Sequence, residues 1–163
     1  MIVLGIDPGT ASTGYGLVRE NTDGSLSLVA YGVVHTPAKK PMPERLLELH
    51  KSLHELILLH RPATSAVEKL FFQSNARTAI SVGQARGVAL LVLAQAGLEV
   101  AEYTPLQVKS AVTGYGAAAK AQVQQMVRAL LNLPHIPTPD DAADALAVAI
   151  CHVHSYRMNA LDK

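Results

Sequence analysis

The chain has 163 residues, 49% of them apolar and 17% charged, with a net charge of +1. That length fits one domain with a sizeable core, and that balance excludes a disordered chain. A single cysteine, Cys151, excludes a disulfide scaffold, and no Cys/His spacing suits a zinc finger. The opening MIVLGIDPG has no basic segment and meets an acid at Asp7, so it does not read as a signal peptide. The most apolar run, Val88 to Leu98, is about half the ~20 residues of a membrane span. A soluble, cytoplasmic protein without a membrane segment is expected. Charge is unevenly placed. From Lys69 to Arg128 six basic residues face two acids, a net +4, against −3 for the remainder. A near-neutral protein can therefore carry a basic face.

Ile2 to Ile6 is an apolar run of strand length, ended by Asp7-Pro8-Gly9. Gly14 to Arg19 and Leu26 to Val34 read as two further strands, with Asn21-Thr22-Asp23-Gly24 turning between them, so an antiparallel meander opens the chain. After a proline-rich loop, Glu44 to His60 has helical periodicity and stops at Arg61-Pro62. Ser65 to Val67 is a short buried strand ending in Glu68. Asn75 to Ala96 reads as a long helix closed by Gly97, and Leu98 to Tyr103 as a fifth strand. Thr104-Pro105 is an N-cap and first residue for a helix through Val112. Ala117 to Leu131 and Asp140 to Tyr156 are the last helices. The order β-β-β-α-β-α-β-α-α-α predicts an α/β fold, a mixed five-stranded sheet flanked by helices. Residues 1–157 read as one domain, and 158–163 as a short tail.

Two phosphate-binding patterns fail. Gly9-Thr-Ala-Ser-Thr-Gly14 has P-loop glycine spacing, but Tyr15 stands where the lysine is needed. Gly114-Tyr-Gly116 follows a helix rather than a strand, and no acid lies about 20 residues on. The carboxylates say more. Asp7 and Glu68 each end an apolar strand, a place where an acid ordinarily just meets solvent. Asp141 and Asp144 are three apart on one helix and share a face. Asp141 suits the helix dipole in a first turn. Asp144 sits in Ala142-Ala143-Asp144-Ala145-Leu146-Ala147-Val148-Ala149-Ile150, apolar all round. An ionised carboxylate buried there needs a partner, either a distant basic residue or a bound cation. Four acids at element ends could converge on Mg²⁺ or Mn²⁺, since the donors are oxygens. Two such ions about 3.5–4 Å apart suit phosphodiester hydrolysis.

Several stretches together resemble the RuvC family of Holliday-junction resolvases. They are Ile6-Asp7-Pro8-Gly9 with Thr13-Gly14-Tyr15-Gly16; Val67-Glu68-Lys69-Leu70-Phe71-Phe72; Gly83-Gln84-Ala85-Arg86-Gly87; Gln107-Val108-Lys109; Ala119-Lys120 with Val127-Arg128; and Asp141-Ala142-Ala143-Asp144-Ala145-Leu146-Ala147. They run in the family's order over residues 2 to about 154. Sugar kinases and actin-like ATPases share the first stretch, but they need a second domain that 163 residues cannot hold.

The resemblance implies a ribonuclease-H-like fold and a metal-dependent endodeoxyribonuclease that nicks two opposed strands of a four-way junction. It implies that Asp7, Glu68, Asp141 and Asp144 are catalytic and hold two Mg²⁺, with Mn²⁺ able to substitute. Lys109 and Lys120 match basic residues near the cleaved strand, Lys120 stabilising charge at the phosphorus. Phe71 matches a base-stacking aromatic. Some relatives carry histidine at the position of Asp141. A homodimer working with the RuvA–RuvB branch-migration complex is implied. Phe71 and Phe72 are the chain's two phenylalanines; neighbours face different ways, so Phe72 reads as core and Phe71 as exposed. Arg77 is a candidate phosphate contact. Arg86, between Gly83 and Gly87, suggests close helix approach and a packing or dimer role. Asp140 points about 100° away from Asp141 and is assigned no metal. Two other readings stay open: a ribonuclease-H-like nuclease on another nucleic acid, and a junction-binding module whose carboxylates serve only structure.

Overall fold

The computed structural model describes residues 1–9, 11–69 and 76–161, giving the backbone alone for 76, 77 and 159–161. The elements are β1 (Ile2–Asp7), β2 (Ser12–Glu20), β3 (Leu26–His35), α1 (Met42–His60), β4 (Thr64–Glu68), α2 (Ala76–Gln95), β5 (Val100–Tyr103), α3 (Pro105–Thr113), α4 (Lys120–Leu130) and α5 (Asp140–Leu161). Their order is the expected one. The sheet runs β3-β2-β1-β4-β5. β1, β2 and β3 form the antiparallel meander, while β1–β4 and β4–β5 are parallel.

Strand alternation sorts side chains into two cores. Leu4 and Ile6 of β1, Leu17 of β2 and Val67 of β4 pack under α1 and α2. Val3, Val18 and Ala66 face α3, α4 and α5. The alternation puts Gly5 and Asp7 on the α5 side with Val3, and the register pairs Val3 with Thr64 and Gly5 with Ala66. Glu68, one step past the last pair, emerges on the same face as Asp7.

Several boundaries differ from the expected ones by a residue or more, among them those of β5, α4 and α5. The fifth strand starts at Val100 rather than Leu98 because Leu98 belongs to the end of α2. Gly97 adopts φ +70, its N–H donates to the Ala94 carbonyl, and the Leu98 N–H donates to that of Leu93. This is a Schellman ending, with Leu98 and Leu93 in the same apolar cluster. The fourth helix begins at Lys120 rather than Ala117 because 115–118 form a turn, Ala118 N–H to Tyr115 carbonyl. The fifth runs to Leu161, through residues read as a tail. Thr104 caps α3 as expected, in a reciprocal box with Gln107.

α2 also departs from expectation. Its Thr78–Gln95 stretch, 18 residues with mean hydropathy 1.2, is apolar enough by length and composition to cross a membrane, yet only 22% of it is buried. Positions where a Cβ would stand at Gly83 and Gly87 have nothing within 4 Å, so the close approach expected there is not made within the chain. Arg86 instead pairs with Glu102 and donates to the Glu68 carbonyl at 3.4 Å, bracing the ends of β4 and β5.

Candidate active site

Asp7 ends β1, Glu68 ends the adjacent β4, and Asp141 and Asp144 occupy the first turns of α5. What brings them together is the absence of side chains between helix and sheet. A Cβ on Gly5 would stand 2.2 Å from the Ala145 carbonyl oxygen, and one on Gly14 would stand 2.0 Å from that of Asp141. With alanines lining the facing side of α5, the helix lies almost on the backbone of β1 and β2. One oxygen each from Asp7, Asp141 and Asp144 then falls within 4.8 Å of the others, a group able to hold a metal ion. Glu68 joins them through a hydrogen bond with Asp7.

Such crowding is electrostatically costly. Burial first, then the Glu68, Asp144 and Asp141 charges, push the Asp7 carboxyl up to about 9, so it is protonated at neutral pH and donates to Glu68. Burial raises Glu68 too, with Asp7 as donor and the Lys120 and Lys109 charges opposing. Asp144 is raised by burial against the pull of Lys120. The partner that Asp144 lacks along its own helix is therefore Lys120, 24 residues earlier, whose Nζ lies 3.3 Å from its Oδ2. The same ammonium reaches Asp140 at 3.2 Å, and Gln124 donates to Asp140 at 3.1 Å. Asp140 thus stands outside the three-acid group and holds Lys120 in place. Burial disfavours the Lys120 ammonium, but its two acidic partners outweigh that and its pKa is raised.

A cleft of about 200 Å³ opens beside the acids, with Glu68, Lys109, Lys120 and Asp144 around a floor of Val108, Val123 and Ala147. A larger hollow of about 440 Å³ between Tyr115 and the Gln122–Met126 face of α4 has no carboxylate on its walls, whereas the smaller cleft has two, Glu68 and Asp144. The donor set is all oxygen, half-buried and dense in negative charge, which suits a hard divalent cation. Phe71 and Phe72 lie outside the described residues, as does the side chain of Arg77. Two bonds escape sequence reasoning. The Ser12 hydroxyl donates to Asp141 Oδ2, and Lys120 bridges Asp140 to Asp144. No local spacing announces either one, although Ser12 lies inside the P-loop-like Gly9–Gly14 stretch.

The raised pKa values have a consequence for stability. The folded chain holds protons that the unfolded chain releases, so without metal its stability should fall as pH rises from near 3.8 towards about 9. A divalent cation displaces those protons and binds more tightly at higher pH. Thermal melts should therefore show a metal-free Tm that declines from pH 5 to pH 9, and a larger rise on adding Mg²⁺ at pH 8 than at pH 5. An equal rise at both would mean that the acids do not share a cation site.

A meander-led, mixed five-stranded sheet flanked by helices is the ribonuclease-H-like fold. Solved structures with the same arrangement include the yeast mitochondrial Holliday junction resolvase Ydc2, with a TM-score of 0.68 at 15% identity over 93% of this chain and 77% of that one. Residues 3–152 match the family described as "Crossover junction endodeoxyribonuclease RuvC". Proteins of that description from Desulfitobacterium hafniense and Syntrophomonas wolfei are 61% and 56% identical, covering 97% and 98% of this chain and 95% and 92% of those proteins. The Thermus thermophilus RuvC structure superposes with a TM-score of 0.92 at 40% identity over 98% of this chain and 97% of that one. This chain belongs to the RuvC family of crossover junction endodeoxyribonucleases.

Proposed function

We propose that the chain resolves four-way DNA junctions in recombination and repair, by Mg²⁺-dependent hydrolysis of two opposed strands. The observation that carries this reading is the convergence of Asp7, Asp141 and Asp144 within 4.8 Å, beside a lysine-rimmed cleft. A matching Thermus thermophilus structure is a complex with Holliday junction substrate, with a TM-score of 0.88 at 37% identity over 97% of this chain and 96% of that one.

Asp7, Glu68, Asp141 and Asp144 are the residues that would hold two Mg²⁺, with Mn²⁺ as a substitute. When bound, the pair supplies Lewis acidity at the attacking and leaving oxygens of an in-line displacement. Lys120, 3.3 Å from Asp144, would meet the negative charge that develops at phosphorus. Lys109, on the same rim, holds the flanking phosphate. Arg77 contacts phosphate further out, and Phe71 stacks on an unpaired base. The substrate has two-fold symmetry, so a homodimer presents two equivalent sites. The exposed face of α2, with Ile80 and Leu91 beside the open Gly83 and Gly87, supports that dimer. The RuvA–RuvB complex is the proposed partner in branch migration, in the cytoplasm.

Junction cleavage with and without Mg²⁺ tests the reading. Cleavage only with metal is expected. Binding without cleavage under both conditions would favour a non-catalytic junction-binding module, and preference for another substrate a different nuclease. The lysines have their own signature. Each phosphate contact adds roughly −0.9 to the slope of log K against log salt on B-form duplex. Lys109→Ala and Lys120→Ala should each flatten the slope for junction binding by about one unit. An unchanged slope would leave both as solvated charges.

A further inference from the structure

The carboxylates of the site differ in what holds them. Asp144 is held by the Lys120 ammonium, a restraint that competes with a cation for the same charge. Asp141 is held by a neutral donor, the Ser12 hydroxyl on Oδ2. A hydroxyl restrains the carboxylate without spending its charge, and a cation on the other oxygen leaves that bond intact.

Ser12 is well placed to act as a fixed post. It is the first residue of β2 and pairs with His35 of β3, and a Cβ on Gly9 would meet the Ser12 carbonyl oxygen at 2.1 Å, so the backbone around it has no slack. The bond spans 129 positions of sequence and ties the start of the sheet's second strand to the first turn of α5. The Gly9–Gly14 stretch, whose spacing imitates a P-loop, thus contributes a hydroxyl to a carboxylate rather than a cradle to a phosphate.

We propose that Ser12 is a positioning residue for Asp141, turning that carboxylate so that one oxygen faces Asp7 and Asp144, and thereby setting the site's affinity for divalent cations. This rests on the metal-dependent reading above. Ligating carboxylates are commonly oriented by such hydrogen bonds, and losing one typically costs about 10–100-fold in metal affinity or activity.

The test is Mn²⁺ binding to the DNA-free chain, followed by calorimetry in wild type, Ser12→Ala and Ser12→Thr. Ser12→Ala should raise the Mn²⁺ Kd by about 10–100-fold, with a metal-free Tm near wild type. Ser12→Thr, which keeps the hydroxyl, should bind as wild type does. In junction cleavage, Ser12→Ala should need more Mg²⁺ but recover its rate at saturation. Wild-type uptake with an unchanged Kd for Ser12→Ala overturns this inference and leaves the metal reading standing. No uptake by wild type overturns both. Weakened binding in both variants that follows a fall in metal-free Tm would make the residue merely structural, and overturns the positioning role.

Discussion

Asp7→Asn should abolish junction cleavage, leave the gel shift of a four-way junction intact, and make the metal-free protein more stable. These effects share one cause. Asp7 lies among Glu68, Asp144 and Asp141, and its carboxyl is driven up to about 9; unfilled, the site must hold a proton there that the unfolded chain releases, and at neutral pH folding carries that cost. Asparagine is nearly isosteric, keeps a donor towards Glu68 and carries no charge. Removing that requirement should raise the metal-free Tm at neutral pH, each kcal/mol being worth roughly 2–4 °C for a domain of this length. Catalysis moves the other way. Losing a ligand outright should exceed the about 10–100-fold cost of losing a ligand's hydrogen-bond partner. Binding survives because the proposed phosphate contacts, Lys109 and Lys120 on the cleft rim, are left in place. Glu68→Gln, Asp141→Asn and Asp144→Asn should likewise bind without cutting. Near-normal cleavage by any of them would remove that residue from the site. A fall in metal-free Tm for Asp7→Asn would mean that the crowding costs less than its burial implies.

The second large effect lies in the glycines beneath α5. Gly14→Ala should lower both stability and cleavage. Its Cβ would stand 2.0 Å from the Asp141 carbonyl oxygen, 2.4 Å from the carbon behind it and 3.1 Å from the Ala142 nitrogen. All three are backbone atoms of the first turn of α5, so no side chain can swing aside and the helix must lift. Overpacking of this kind costs about 1–3 kcal/mol, occasionally more, or roughly 2–12 °C. The atoms displaced first are those carrying Asp141, and a shift of about 1 Å at a reacting centre can cost on the order of 10²-fold in rate. Gly14→Ala should therefore bind Mn²⁺ weakly even at temperatures where it is fully folded. Wild-type metal binding and rate would show that the carboxylates are placed by something other than the close seating of α5.

Much of this architecture is legible along the chain, because local rules write it there. An apolar run ended by Asp7-Pro8-Gly9 marks β1, the Asn21–Gly24 turn marks the hairpin of the meander, and Thr104-Pro105 marks the start of α3. Where boundaries slip, as at Leu98 and Ala117, a helix cap or a turn has taken a residue whose apolar character suggested a regular element. The acids are legible too: Asp7 and Glu68 close apolar strands, and Asp144 stands out as a charge on an otherwise apolar helix. What local rules cannot supply is a partner. Asp144 is paired with Lys120 across 24 positions and Asp141 with Ser12 across 129, and both pairings exist only because α5 settles onto β1 and β2. The chain by itself determined the elements and the carboxylates. The tertiary structure decided which charges meet, because that depends on how closely a helix can approach a sheet, and here the missing side chains of Gly5 and Gly14 set that distance.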